Sequence, residues 1–410
     1  MSSSPRGPGA PLDLDGTVAI VGASLAGLRA AQTLRRKGFC GRLVLVGEEH
    51  HLPYDRPPLS KQVLAGKWEP DRTLLAGDDA LRELELDLRI GHRAETLDVA
   101  SRRVELDDGS VVEADGVVIA TGATPRRIFV DAGVLVLRTL GDCAALRTEV
   151  LEAKDDCRVV VIGAGFIGSE VASTCAGLGC RVTVIEMLSV PLAPALGETL
   201  GAALGALHGR NGVELRTETP VVSVASDGRT KSVTTGDGAV LEADVVVAGI
   251  GVVPEVAWLQ SSALDLGNGV VCDEALFAAD GIVAAGDLAR WPLRGEPTRI
   301  EHWQMAADMG DAAAASLIAG RAAAAAFTPV PYFWSDQYKE KIQMLGHPSP
   351  ADEVVVVEGS LDDRFVALYR RGAALSGVAA LTRPRQLMSY RPLLANGASF
   401  DDALALSRGD

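Results

Sequence analysis

The chain has 410 residues, 48% of them apolar, with 44 glycines, 20 prolines and a formal charge of −15. That length can bury several cores, and the composition suits a compact α/β enzyme and excludes a fibrous or disordered chain. The acidic balance argues against a nucleic-acid partner, which needs a basic face, and leaves room for a local basic patch facing a protein.

Residues 1–16 form a polar Pro/Gly/Ser lead, expected to be flexible and lacking the apolar centre of a secretory signal. No apolar run reaches transmembrane length, so no membrane insertion is expected. Cys40, Cys143, Cys157, Cys175, Cys180 and Cys272 are scattered rather than framed as a disulfide scaffold, and a cytoplasmic location is expected.

The first informative stretch is an apolar run, Val18–Val21, leading into Gly22-Ala-Ser24-Leu25-Ala26-Gly27. An Ala/Leu/Arg-rich segment follows to Lys37, and a second apolar run, Leu43–Val46, ends in Gly47-Glu48. Strand, tight turn, helix, strand and acid form the unit that sets a dinucleotide pyrophosphate on a helix N-terminus and its ribose on a carboxylate. Ser24 replaces the middle glycine of GxGxxG and adds a Cβ where backbone and phosphates approach most closely.

A helix is predicted near Asp78–Leu84, a short strand over Leu86–Ile90, and a small hairpin set over 91–114 turning at Asp107-Asp108-Gly109. A buried strand from Val117 then runs into Thr121-Gly122. After a connector, the opening pattern returns in full. Arg158–Ile162 precedes Gly163-Ala-Gly165-Phe166-Ile167-Gly168-Ser-Glu170, and Val182–Ile185 ends in Glu186. Residues 198–208 read as helical and 213–247 as strands with a hairpin. Val245–Pro254, with Gly249 and Gly251, repeats the strand-into-glycine pattern.

The duplication predicts two dinucleotides between which electrons pass. A carboxylate at Glu186 favours ribose hydroxyls over a 2′-phosphate, and Met187-Leu188 supplies no arginine, so NADH is preferred to NADPH. If the first unit holds FAD, Arg56 is placed to meet the pyrophosphate, Lys61 the flavin N5 edge and Asp287 a ribityl hydroxyl. A helix beginning near Glu301, read as reaching about Ala326, would aim its amides at the flavin C2 oxygen. Cys175 and Cys180 have the spacing of a disulfide-reductase pair but follow the wrong fingerprint, so they read as inert thiols. His50-His51 has no spaced partner, and no metal site is expected.

HLPYDRPPLSK at 51–61, ATGATPR at 120–126, GAGFIGSE at 163–170, GIGVVP at 249–254, AAGD at 284–287, EHW at 301–303 and YFWSDQY at 332–338 carry a family likeness. They resemble the FAD-dependent, NADH-oxidising ferredoxin reductases, putidaredoxin-reductase-like, of bacterial cytochrome P450 and Rieske-type aromatic-ring dioxygenase systems. Rubredoxin reductases and apoptosis-inducing-factor flavoproteins are looser relatives. The likeness covers about residues 17–400.

It implies an α/β fold of two Rossmann-like nucleotide-binding domains, of the glutathione-reductase-like, two-dinucleotide-binding type, plus a C-terminal α+β domain. The expected boundaries are 17–125 with 248–328 for a discontinuous FAD-binding domain, 126–247 for NAD and 329–410 for the tail. By the same likeness Gly22, Ser24, Leu25, Ala26, Gly27, Glu48, Ala94 and Thr121 contact FAD, with Arg56, Arg126 and Asp287 along its polar chain. Lys61, Glu170 and Trp334 are the expected catalytic group. Glu301, His302 and Trp303 stand beside them at the flavin crevice, with a Lys61–Glu170 ion pair beneath the ring. Gly163, Gly165, Phe166, Ile167, Gly168, Glu170, Glu186, Gly249 and Gly251 are the expected NAD set. The plain alternatives are Trp334 as core at a domain junction and His302 as a helix-start residue without a role.

The implied activity takes hydride from NADH onto FAD and passes single electrons to a 2Fe–2S ferredoxin, which feeds a cytochrome P450 or Rieske-type oxygenase. Rubredoxin or a small molecule is the alternative acceptor, and an NADH-sensing signalling flavoprotein is the alternative of another class. A monomer or weak homodimer is expected.

Overall fold

The computed structural model describes residues 9–153 and 156–409. The chain divides into two compact units, one of Met1–Asp55, Thr73–Thr124 and Val253–Pro329, the other of Arg56–Arg72, Pro125–Val252 and Val330–Asp410. Segment 56–72, which contains Lys61, therefore belongs with the second fingerprint and not with the first.

In the first unit a six-stranded sheet is built around Thr17–Val21, which pairs in parallel with Arg42–Gly47 on one side and Gly116–Ile119 on the other. Ile282–Ala284 and Leu86–Ile90 extend it in parallel outward. Val18, Ala19, Ile20 and Leu43–Val46 are almost wholly buried, the continuous apolar reading of a parallel strand covered on both faces. The helix Leu25–Arg36 packs against Trp303–Ala319 at backbone distance: a Cβ on Gly310 would lie 2.4 Å from the Ala26 carbonyl oxygen.

Two local expectations change. The long helix ends at Ala319, seven residues short of Ala326, because Gly320 takes φ +78° and its position abuts the backbone at Ala10 and Pro11. Of the 1–16 lead, residues 1–8 lie outside the described residues. Leu12 is buried and its N–H donates to the Ile318 carbonyl, so the second half of the lead is fixed in place.

In the second unit Arg158–Ile162 is flanked in parallel by Arg181–Ile185 and Val245–Ala248, with Glu214–Arg216 at the edge. An antiparallel three-stranded sheet spans Val221–Ala243. The tail forms a five-stranded antiparallel sheet in the order Tyr332–Gln337, Glu340–Gly346, Ala374–Leu381, Phe365–Arg371, Glu353–Gly359, followed by three short helices. The helix Ala193–Arg210 kinks at Gly197, so its regular part starts at 198 as the sequence suggests. It buries Leu196, Leu200, Leu204 and Leu207, with Leu192 just before it, against Phe333, Ile342, Met344, Phe365 and Tyr369 of the tail sheet. No helix among the described residues is long and apolar enough to cross a membrane.

Candidate functional site

In the first fingerprint the outer glycines have steric causes. Gly22 takes φ +123° and its Cβ would lie 2.0 Å from the Ala120 carbonyl oxygen; a Cβ on Gly27 would lie 2.0 Å from that of Gly22. Ser24 needs no such freedom. It is extended (φ −125°, ψ −160°), starts the helix Leu25–Arg36, and makes no capping bond with its side chain. The second fingerprint repeats this division. Gly163 (φ +99°) and Gly168 would bring a Cβ within 2.5 and 2.1 Å of carbonyl oxygens, whereas at Gly165 the nearest atom would be 3.7 Å away. The protein itself therefore leaves room for a side chain at the middle position.

Leu25, Ala26, Glu48, Ala94, Thr121, Asp287, Glu301, His302 and Trp303 all belong to the first unit. Leu25 and Ala26 open the helix and are buried, Glu48 stands exposed at the end of its strand, and Ala94 is buried at the start of the hairpin. The Thr121 hydroxyl donates to the Glu255 carbonyl at 2.7 Å. Arg299, which the sequence did not single out, donates to the Asp287 carbonyl and pairs with the Glu301 carboxylate at 2.6 Å, tying these two residues together. His302 precedes the helix Trp303–Ala319 in extended conformation, and the Trp303 indole N–H donates to Asp55 at 2.5 Å.

Around the second fingerprint, Glu186 accepts from the Ala164 N–H at 2.8 Å on one oxygen and from the Leu188 N–H at 2.9 Å on the other. The carboxylate is thereby locked at the strand end with lone pairs left for ribose hydroxyls. A Cβ on Gly249 would lie 3.1 Å from Gly168, and Gly251 (φ +91°) accepts from the Arg126 N–H at 3.0 Å. Phe166 packs edge-on against Phe333 with centroids 4.7 Å apart, while Ile167 stays exposed at the helix start.

Lys61 and Glu170 meet. The ammonium donates to Glu170 Oε2 at 2.6 Å, and Glu170 is only 3% exposed. Ser60 Oγ donates to the same oxygen at 2.5 Å, and Ser335 Oγ donates to Oε1 at 2.7 Å. The lysine-bearing segment is held through its carbonyls. Leu59 O accepts from the Cys143 thiol, Ser60 O from Thr174 and Leu64 O from Arg147. Arg56 donates to the Arg138 carbonyl at 2.7 Å. Trp334 is half-buried, stacked on Tyr332 and approached by the Lys341 ammonium 6.0 Å from its centroid. Ser60 and Ser335 were missed because nothing local marks them. The one signal was the alternation of Phe333-Trp-Ser335-Asp-Gln337, which puts Ser335 and Gln337 on the buried face.

All six cysteines are free thiols. Burial pushes Cys143 up to about 11 and Cys272 up to about 12, the opposite of an activated thiolate. His92 lies 3.2 Å from Asp107 and 3.7 Å from Asp108, a half-exposed group at the hairpin that the sequence reading did not pick out.

Two glycine turns whose outer positions admit no Cβ, each opening a helix and followed by a strand-end carboxylate, fit FAD and NAD(H). The comparisons agree. Residues 16–310 match the family described as pyridine nucleotide-disulphide oxidoreductase, and residues 332–408 match one described as reductase C-terminal. The chain is 38% identical to rhodocoxin reductase of Rhodococcus erythropolis, an alignment covering 96% of this chain and 95% of that one. It is 36% identical to the ferredoxin reductase component of chlorobenzene dioxygenase from Cupriavidus sp. (strain PS12), covering 94% of each. Among solved structures, the covalent putidaredoxin reductase–putidaredoxin complex matches with TM-score 0.87 at 31% identity, covering 93% of each chain. The chain therefore belongs to the pyridine nucleotide-disulphide oxidoreductases, within their FAD-dependent NADH:ferredoxin reductase branch.

Proposed function

We propose that the protein is a ferredoxin–NAD(+) reductase serving a 2Fe–2S ferredoxin of a cytochrome P450 or Rieske-type dioxygenase system. The observation that carries this reading is the pair of phosphate cradles, one per unit, in a chain whose thiols are buried or unpaired with a flavin-side partner. FAD, when bound, accepts a hydride from NADH and returns the electrons singly.

The chain's residues divide the remaining work. Glu48 accepts from the FAD ribose, the amides opening the helix Leu25–Arg36 neutralise its pyrophosphate, and Ala94, Thr121 and Asp287 hold the two ends. Glu186, already fixed by two amides, accepts from the NADH ribose and repels a 2′-phosphate, which favours NADH over NADPH. Lys61 is the cation we assign to the flavin N5 edge, with Trp334 beside the ring. The exposed Arg385 and Lys339 are candidates for ferredoxin docking, within an otherwise acidic chain.

The test is NADH-driven cytochrome c reduction with and without added acceptor, run over a panel of 2Fe–2S ferredoxins and rubredoxins. Turnover that depends on a 2Fe–2S ferredoxin supports the reading. Equal turnover without any iron–sulfur protein, or with rubredoxin alone, overturns the assigned acceptor.

A further inference from the structure

A buried carboxylate is tolerated only when its charge is matched by donors on both oxygens. On Glu170 the three donors come from two separate parts of the second unit: Lys61 and Ser60 on Oε2, and Ser335 on Oε1. Ser335 stands on Tyr332–Gln337, the edge strand of the tail sheet, 165 residues from its acceptor. Its hydroxyl is itself oriented, because Gln337 Nε2 donates to Ser335 Oγ at 3.2 Å and leaves the hydroxyl hydrogen to point at Glu170. Ser335, Gln337 and Glu170 are all buried, so no water replaces a donor that is lost.

We infer that Ser335 is a positioning residue for the reductive step. It pins the free oxygen of Glu170, so that the other oxygen holds the Lys61 ammonium in one place, and the tail domain thereby sets the orientation of the flavin-facing lysine. The order of bonds is Gln337 to Ser335 to Glu170, with Lys61 donating from the opposite side. Without Ser335 the carboxylate is free to turn about its last torsion, and the ammonium 2.6 Å away follows it or lets go. Ser335 touches neither NADH nor flavin in this scheme, and its effect passes through Glu170. The inference rests on the assignment of Lys61 to the flavin.

Two measurements on the FAD-loaded protein test it. The first is the labelling rate of Lys61 by an amine-acylating reagent, followed by peptide mass spectrometry. Ser335→Ala should raise it about fivefold as the pinned ammonium is released, and Ser335→Thr, which keeps the hydroxyl, should stay within about twofold of the parent. The second is anaerobic stopped-flow reduction of the flavin by NADH. Ser335→Ala should lower the limiting rate about fivefold with the NADH dissociation constant changed less than about twofold. In a Lys61→Met background Ser335→Ala should cost nothing further, because the route through the lysine is already cut.

Unchanged labelling in Ser335→Ala overturns the inference, as does an equal fall in rate in the Lys61→Met background. If NADH leaves the flavin of the parent protein oxidised, the proposed function falls instead, and the labelling arm still decides whether Ser335 pins the pair.

Discussion

His208 shows how one buried side chain sets a pH limit. Its Nε2 lies 3.3 Å from Ser169 Oγ and its Nδ1 2.7 Å from the Tyr338 hydroxyl, so neutral imidazole bridges the NAD-side helices and the tail sheet. Burial lowers its pKa from 6.5 to about 4 and raises that of Tyr338 well above the usual phenol range. Between those two values the unfolded chain binds the proton and the folded chain does not. Stability is therefore full above about pH 6.5 and falls as pH drops toward 4, by about 3 kcal/mol in total. Urea melts at pH 7.5 and pH 4.5 should show that loss in the parent, and His208→Gln should be less acid-sensitive. Ser24 makes a second residue-scale case. Because the fold leaves room at the middle fingerprint position, Gly165→Ser should keep the melting temperature of the cofactor-free protein within about 2 °C while weakening NADH binding. Ser24→Ala should retain FAD less well than Ser24→Gly, since alanine keeps the bulk and loses the hydroxyl. Equal flavin dissociation constants would show that the hydroxyl contributes nothing.

At the scale of elements, the first unit depends on two helices approaching closely enough to touch through their backbones. Gly310 faces the Ala26 carbonyl and the Arg29 side chain, and there is no flexible side chain end to yield. Gly310→Val is expected to cost about 2 kcal/mol or more and to loosen FAD, because Ala26 belongs to the phosphate turn. Gly177, at the end of its helix with nothing within 4 Å, supplies the control: Gly177→Ala should be neutral or stabilising by up to about 1 kcal/mol in the same thermal melt. The elements themselves were legible in the sequence wherever the cause was local. Both fingerprints, their closing strands, the 91–114 hairpin set and the start of the regular helix at 198 follow from glycine placement and hydrophobic period. The early stop at Ala319 was not legible, because it depends on Pro11 crossing nearby, three hundred residues earlier in the chain. The Glu170 cluster was legible only as the Lys61–Glu170 pair implied by family likeness, since its serines are ordinary residues until the tail sheet folds.

For the molecule as a whole, the tail has a hydrophobic cluster of its own and a second one that it shares with the helix Ala193–Arg210. Four leucines of the helix Ala193–Arg210, and Leu192 just before it, have the tail sheet as their apolar cover. Burial of such side chains is worth about 1.5–3 kcal/mol each, which together is comparable with the margin of about 5–15 kcal/mol by which most domains are stable. A chain ending at Pro329 is thus expected to be insoluble or molten, with loss of near-ultraviolet circular dichroism and exposure of dye-binding apolar surface. A soluble, cooperatively melting 1–329 fragment would show that the second fingerprint supports its own core.

The way segment 56–72 is held has a consequence for where disorder would first appear. Apart from the Lys61 and Ser60 bonds to Glu170, its polar attachments described above join side chains to main-chain carbonyls, with Cys143, Arg147, Thr174 and Arg56 as donors, each bond worth only about 1 kcal/mol and none part of a sheet ladder. Its amides should therefore exchange with solvent through local opening, well before those of the neighbouring parallel strands. A substitution at Thr174 or Arg147 should then register as accelerated amide exchange around Lys61, a lesion in the two helices that shows itself on the loop they hold.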